Sequence, residues 1–186
     1  MQNLGLADNQ QERLEMIDLQ KIPPSIGYYL AGFADGEGSF NISFRPRNDY
    51  TLPWKVSACF NISQKDKVIL ALCKRHFQCG TLRSRPDGVW YFEVNNINAL
   101  KDNIIPFFKR FRFLSAKKKR DFSKFLQIVE IIDRNEHLHE VGIKTILAIR
   151  HDMNDGGNRR YSDEEILRAF KNPQRLYAKS PSDGGE

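Results

Sequence analysis

The chain has 186 residues, 40% of them hydrophobic, and a formal net charge of +6, which suits one domain with a buried core and leaves little room for two. The charge is uneven: residues 1–22 hold Arg13 and Lys21 against Asp8, Glu12, Glu15 and Asp18, whereas residues 38–120 hold 17 Lys and Arg against five acids. That surplus points to a polyanion, nucleic acid ahead of a membrane surface, with a merely solvated basic surface as the bland alternative. The sequence has neither an apolar run of bilayer length nor a signal-like start, so no membrane partner and no secretion are expected, and the protein should stay inside the cell, in a bacterial cytoplasm or an organelle.

Residues 1–24 are polar with scattered apolar positions, end in Pro23 and Pro24, and read as an N-terminal arm. Pro-Pro-Ser then starts a helix over about 26–34, punctuated by Gly36 and Gly38. From Ser39 the period changes to two. Phe40, Ile42 and Phe44 alternate with Ser39, Asn41, Ser43 and Arg45, and after a loop holding Pro46, Asn48, Asp49 and Pro53 a second run alternates Val56, Ala58, Phe60 and Ile62 with Lys55, Ser57, Asn61 and Ser63. The two runs form an antiparallel hairpin. A helix is expected over 65–77, with Val68, Leu72 and Cys73 on its apolar side and Gly80 at its end. Cys73, His76 and Cys79 make an incomplete zinc set, and with Cys59 the three cysteines suit reduced, mostly buried thiols.

A second hairpin follows, TLRSR and VWYFEV joined through Pro86, Asp87 and Gly88. Trp90, Phe92 and Val94 should face the core, leaving Thr81, Arg83, Arg85, Tyr91, Glu93 and Asn95 outside. Helices are expected over 97–110, 118–132, 141–151 and 162–170. Asp155, Gly156 and Gly157 mark the loop before the last of these, whose start is a capping box of Ser162 and Glu165. The main domain should span 25–175 and a tail 176–186. Four antiparallel strands with helices on one face make an α+β layer. The other sheet face is rich in Arg, Asn and Ser, side chains able to pair with base edges in a major groove that admits a β-ribbon; a solvated face is the alternative.

The stretch YYLAGFADGEGSF raises a question of charge. Asp35 and Glu37 arrive where a helix should be ending, and a helix C-terminus carries partial negative charge, so acids there cost stability unless a cation compensates. A divalent ion held by a carboxylate, a backbone carbonyl and substrate phosphates would do so and would suit phosphodiester hydrolysis. The alternative is two polar residues in a glycine turn. Small residues Ala31, Gly32 and Ala34 allow close helix packing, within one subunit or between two.

LAGFADGEG at Leu30 to Gly38, with FNISQKDK at Phe60 to Lys67 and SAKKKRDF at Ser115 to Phe122, resembles the LAGLIDADG homing endonucleases, and the element order over roughly 25–170 is similar to their αββαββα core. The resemblance implies that the sheet binds DNA and that extra helices follow C-terminally. By that resemblance Glu37 is the metal-binding catalytic acid, the carbonyl of Gly36 a second metal ligand, and Asp35 a residue that ends the helix by bonding nearby backbone. Gln64 resembles the polar residue that orders water around the metal. Lys117 matches the lysine that stabilises charge at the scissile phosphate, with Lys118 and Lys119 also possible in the KKKR run. Val68 stands where some relatives carry a basic residue, with Lys65 or Lys67 as substitutes. The metal implied is Mg²⁺, with Mn²⁺ substituting and Ca²⁺ binding without cleavage. DNA contacts are expected from Asn41, Ser43, Arg45, Arg47, Lys55, Ser57, Asn61, Arg83, Arg85 and Tyr91. One motif copy implies a homodimer whose seam holds Leu30, Ala31, Gly32, Ala34 and Asp35, cleaving both strands of a long, roughly palindromic duplex and encoded by a mobile group I intron. Intron RNA is a possible partner, and a maturase or a non-catalytic DNA-binding regulator is the alternative.

Overall fold

The computed structural model describes residues 16–47, 54–154 and 159–171. Helix α1 spans Pro24–Glu37, with Pro at its first position, and β1 follows without a loop at Gly38–Pro46. Strand β2 is Trp54–Gln64, helix α2 Lys67–Phe77, β3 Thr81–Ser84 and β4 Trp90–Val94. A short α3, Ile97–Ala99, runs through a π-helical turn at Leu100–Ile104 into α4, Ile105–Arg110. Helices α5, Ala116–Asp133, α6, Glu140–His151, and α7, Asp163–Lys171, complete the described chain. Among the described residues no helix is long and apolar enough to cross a membrane.

The four strands form one antiparallel sheet in the order β1-β2-β4-β3. Gly38 pairs with Ile62 and Arg45 with Lys55, so the expected alternation holds: Phe40, Phe44, Val56, Ala58, Phe60 and Ile62 are buried on one face. Helices cover that face. Phe40, Phe60 and Phe77 meet Phe108 with ring centroids 5.3 to 5.9 Å apart, and Phe108 stacks on Phe113 at 4.5 Å, spacings at which aromatic pairs add to the area they bury. Helix α1 lies against this core through Gly27, where a Cβ would stand 2.3 Å from the Phe111 ring.

Several boundaries differ from expectation. Helix α1 continues through Gly36 to Glu37, so both acids sit in its last turn. Helix α5 begins two residues earlier than expected, because Ser115 caps it by accepting from the Lys118 amide at 3.2 Å. In α2 the buried positions are Ile69, Leu70, Cys73 and Phe77, while Val68 is exposed: Asp66 is the N-cap, and Val68 lies in the first turn, facing outward. The Ser162–Glu165 capping box is present, each side chain accepting from the other's amide. The loops expected at 48–53 and 155–157, most of the N-terminal arm and the tail lie outside the described residues.

The C-terminal helices are tied to the sheet. Arg150 is 7% exposed, stacks on Phe44 at 4.8 Å and donates to Asp163 at 2.9 Å. Asn154 donates to the Phe40 carbonyl at 2.9 Å, and Trp54 meets Tyr161 edge-on at 4.8 Å.

Candidate active site and nucleic-acid interface

Glu37 is exposed at the final residue of α1. The last carbonyls of an α-helix have no intrahelical donor, so the end of α1 gathers a carboxylate and backbone oxygens in one place. Gly36 is exposed too, with no atom within 4 Å of where a Cβ would stand. Among the described residues no cluster of three or more His, Cys, Asp or Glu could hold a metal alone.

Asp35 turns away from this point. Its Oδ2 accepts the amides of Leu114 at 3.0 Å and Ser115 at 2.9 Å, and its Oδ1 accepts the Ser115 hydroxyl. Asp35 was expected to end its own helix through nearby backbone. It instead joins the C-terminal end of α1 to the N-terminal end of α5, 80 residues away, while α1 is capped by the Gly38 amide bonding the Ala34 carbonyl. The charge conflict in the sequence is therefore partly resolved inside the subunit: Asp35 meets the positive end of α5. Desolvation would raise its carboxyl, but the bonds from Ser115 and Leu114 outweigh it and hold the group below its ordinary value.

The same contact sets a lysine. Ser115, held by Asp35, caps α5 at Lys118, and the half-buried Lys118 Nζ donates to the Gly38 carbonyl. Burial, chiefly, lowers the Lys118 pKa; Asp121, Asp35 and Glu37 pull the other way. Lys117 and Lys119 are exposed. Of the three lysines left open by the sequence, Lys118 bonds the carbonyl of Gly38, just past the end of α1.

Gln64 ends β2 two residues beyond Ile62, the partner of Gly38, and so lies past the start of β1 where α1 enters the sheet. Its side chain accepts the Lys65 amide at 2.9 Å. Lys65 is exposed, and Lys67 sits 4.3 Å above the Trp90 ring.

The polar sheet face carries the expected residues in register: Asn41 opposite Cys59, Ser43 opposite Ser57, Arg45 opposite Lys55, Ser63 opposite Tyr91 and Tyr91 opposite Arg83. Arg47 lies one residue beyond β1, and Arg85, just beyond β3, is 3.9 Å from Asp87 in the turn. Burial raises the Tyr91 phenol, with Cys59 and Glu93 adding to it. The expected dimer seam needs correction. Leu30 and Ala34 are fully buried in the subunit's own core and Ala31 nearly so, while Asp35 is committed to α5. The exposed positions of α1 include Tyr28, Tyr29, Gly32 and Gly36, Tyr28 resting edge-on against Phe111, with nothing within 4 Å of a Cβ at Gly32. Sequence reasoning missed Ser115 and the partners of Asp35. The signal was there, since Ser before a run of helix formers is an N-cap pattern.

Comparison with known proteins shows a family. A profile described as LAGLIDADG endonuclease matches residues 30–129. The chain is 33% identical over 132 residues to "Probable intron-encoded endonuclease 2" of Neurospora crassa, covering 69% of this chain but 29% of that protein. It is 31% identical over 147 residues to "Homing endonuclease I-ApeII" of Aeropyrum pernix, covering 75% of this chain and 87% of that one. Among solved structures, I-LtrWI bound to target DNA superimposes with a TM-score of 0.68 at 30% identity, over 87% of this chain and 53% of that chain.

Proposed function

Because the chain belongs to the LAGLIDADG endonuclease family, we propose that it is a homing endonuclease. It hydrolyses both strands of a long, roughly palindromic DNA site as a homodimer and is encoded by a mobile group I intron. The observation that carries this reading is the exposed Glu37 at the end of α1 with Lys118 held beside it at Gly38. The donor set fits Mg²⁺, which keeps waters and takes one or two carboxylates plus substrate phosphates rather than a full protein cage. Glu37 and the Gly36 carbonyl would hold it. When bound, the ion polarises the phosphoryl group and lowers the pKa of an attacking water.

The chain's own residues supply the rest. Lys118, a fixed cation, stabilises the charge that develops on the phosphate. Gln64, the last residue of β2 and opposite Trp90 of β4, orders water at the same end of the sheet. The polar face presents Asn41, Ser43, Arg45, Arg47, Lys55, Ser57, Asn61, Arg83, Arg85 and Tyr91 to the major groove, where such side chains discriminate bases. One Glu37 per chain serves one strand, so two copies are needed, and the bare Gly32 and Gly36 face of α1 permits close backbone approach around a twofold axis. A relative of similar length, matched over 87% of its chain, and one seen on target DNA support the size of the unit and its substrate class.

The test is Glu37→Gln, which keeps shape and removes charge. With Mg²⁺ and a randomised DNA library, the unaltered protein should yield defined cut ends, and the variant should bind the selected site with affinity within about threefold while cleavage falls at least about a thousandfold. Undiminished cutting by the variant would overturn the assignment.

A further inference from the structure

Resting on the reading of the chain as a DNA endonuclease, we propose that Glu93 is a positioning residue that fixes Arg83 to select one guanine in each half of the target site. Glu93 projects from β4 onto the polar face, opposite Asn61 of β2 on one side and Thr81 of β3 on the other. It is the one carboxylate in the four strands, on a face whose other charged strand residues, Arg45, Lys55 and Arg83, are cations. An acid aimed at a polyanion opposes binding, so its place there needs a compensating role.

The contacts supply one. Glu93 Oε2 lies 3.5 Å from Arg83 Nη2, and the same nitrogen is 3.5 Å from the Thr81 hydroxyl. Oε1 accepts from Asn95 Nδ2 at 3.2 Å and from the Cys59 thiol at 3.7 Å, and Asn61 donates to that sulfur at 3.8 Å. The carboxylate is thus held from both neighbouring strands and holds one end of the guanidinium, while the Arg83 side chain stays 64% exposed. Burial pushes the Cys59 thiol up to about 11, with the Glu93 charge adding to the rise, so the sulfur remains a donor to the carboxylate.

An ion pair this long, with its arginine largely in solvent, does little for folding. Its effect falls on recognition: a pre-oriented guanidinium loses less freedom on binding than a free one. Arginine paired through two N–H groups to O6 and N7 of guanine is the commonest base-specific contact in the major groove. Neutralising Glu93 removes the clamp while leaving Arg83 in place.

The experiment is selection of cleaved sites from a library randomised across both half-sites, using the unaltered protein, Glu93→Gln and Arg83→Ala, each with its melting temperature measured. The unaltered protein should prefer guanine at one position per half-site. Arg83→Ala should abolish that preference, and Glu93→Gln should reduce it at the same position by at least about fivefold, the lower range of a two-pronged base contact, with the other positions and the melting temperature unchanged. An unaltered profile for Glu93→Gln overturns the proposal. So does a change at a position other than the one Arg83 governs, which would mean that Glu93 reads a base itself. A uniform gain of affinity on all sequences also overturns it, because that is the mark of lost repulsion alone. If the unaltered protein enriches no site, the endonuclease reading fails first and this inference with it.

Discussion

Replacing Asp35 with alanine removes three hydrogen bonds that join the end of α1 to the start of α5. The carboxylate is partly exposed, so each bond is taken near the low end of the usual range, about 0.7 kcal/mol. The loss of a negative group at the positive end of α5 adds about 0.5 kcal/mol. The expected destabilisation is therefore about 2 to 3 kcal/mol, which for a domain of this size lowers Tm by roughly 4 to 12 °C. Ser115 loses its anchor and with it the placement of Lys118, so single-turnover cleavage by the folded variant should fall at least about tenfold while DNA affinity changes little. The stability difference should depend on pH in a set direction. The folded carboxyl is held below its ordinary value, so its contribution is complete above the unfolded pKa of 3.8 and is lost as the pH falls through the folded pKa. Melting curves from about pH 7 down to about pH 3 should show the two proteins converging only at the acid end. An unchanged Tm would refute the structural link, and a lowered Tm with undiminished cleavage per folded molecule would refute the positioning of Lys118 through Ser115.

Lys118→Met should lower the cleavage rate about a hundredfold or more, whereas Lys117→Met should cost less than about tenfold; rates in the reverse order would move the phosphate-stabilising role to Lys117. Gly32→Glu places a charge on the open face of α1, where a Cβ meets nothing within 4 Å. It should leave the far-UV circular dichroism spectrum unchanged while converting a dimer to a monomer by solution mass measurement, with a Tm lowered by the loss of association, and a dimer that persists unchanged would place the seam elsewhere.

The sheet was legible in detail because period-two alternation carries register directly: Phe40, Phe60 and Phe92 lie inside and Asn41, Asn61 and Glu93 outside, as read. The position of Glu37 could be read for a different reason, since acids at a helix end conflict with the dipole. What stayed hidden was long-range pairing. Nothing local to Asp35 reveals that its partners are Leu114 and Ser115, and the KKKR run could not be phased from a helix expected to begin at 118, two residues after α5 starts. Leu30, Ala31 and Ala34, expected at a dimer seam, lie in the chain's own core, because small residues pack tightly on either side of a helix. Only the observed rotation of α1 separates the buried Ala31 and Ala34 from the bare Gly32.

Arg150 has a bearing on how this scaffold can be cut and joined. The family match ends at residue 129, yet the guanidinium that covers Phe44 at the far end of β1 is balanced by Asp163 of α7. A chain shortened to the matched region would strip the cover from one tip of the sheet, and one ending between α6 and α7 would strand a buried cation without its counter-ion, a costly state. The modular unit for grafting or for fusing two copies into one polypeptide therefore runs at least through Lys171, with α6 and α7 serving as an integral brace of the sheet rather than as a dispensable extension.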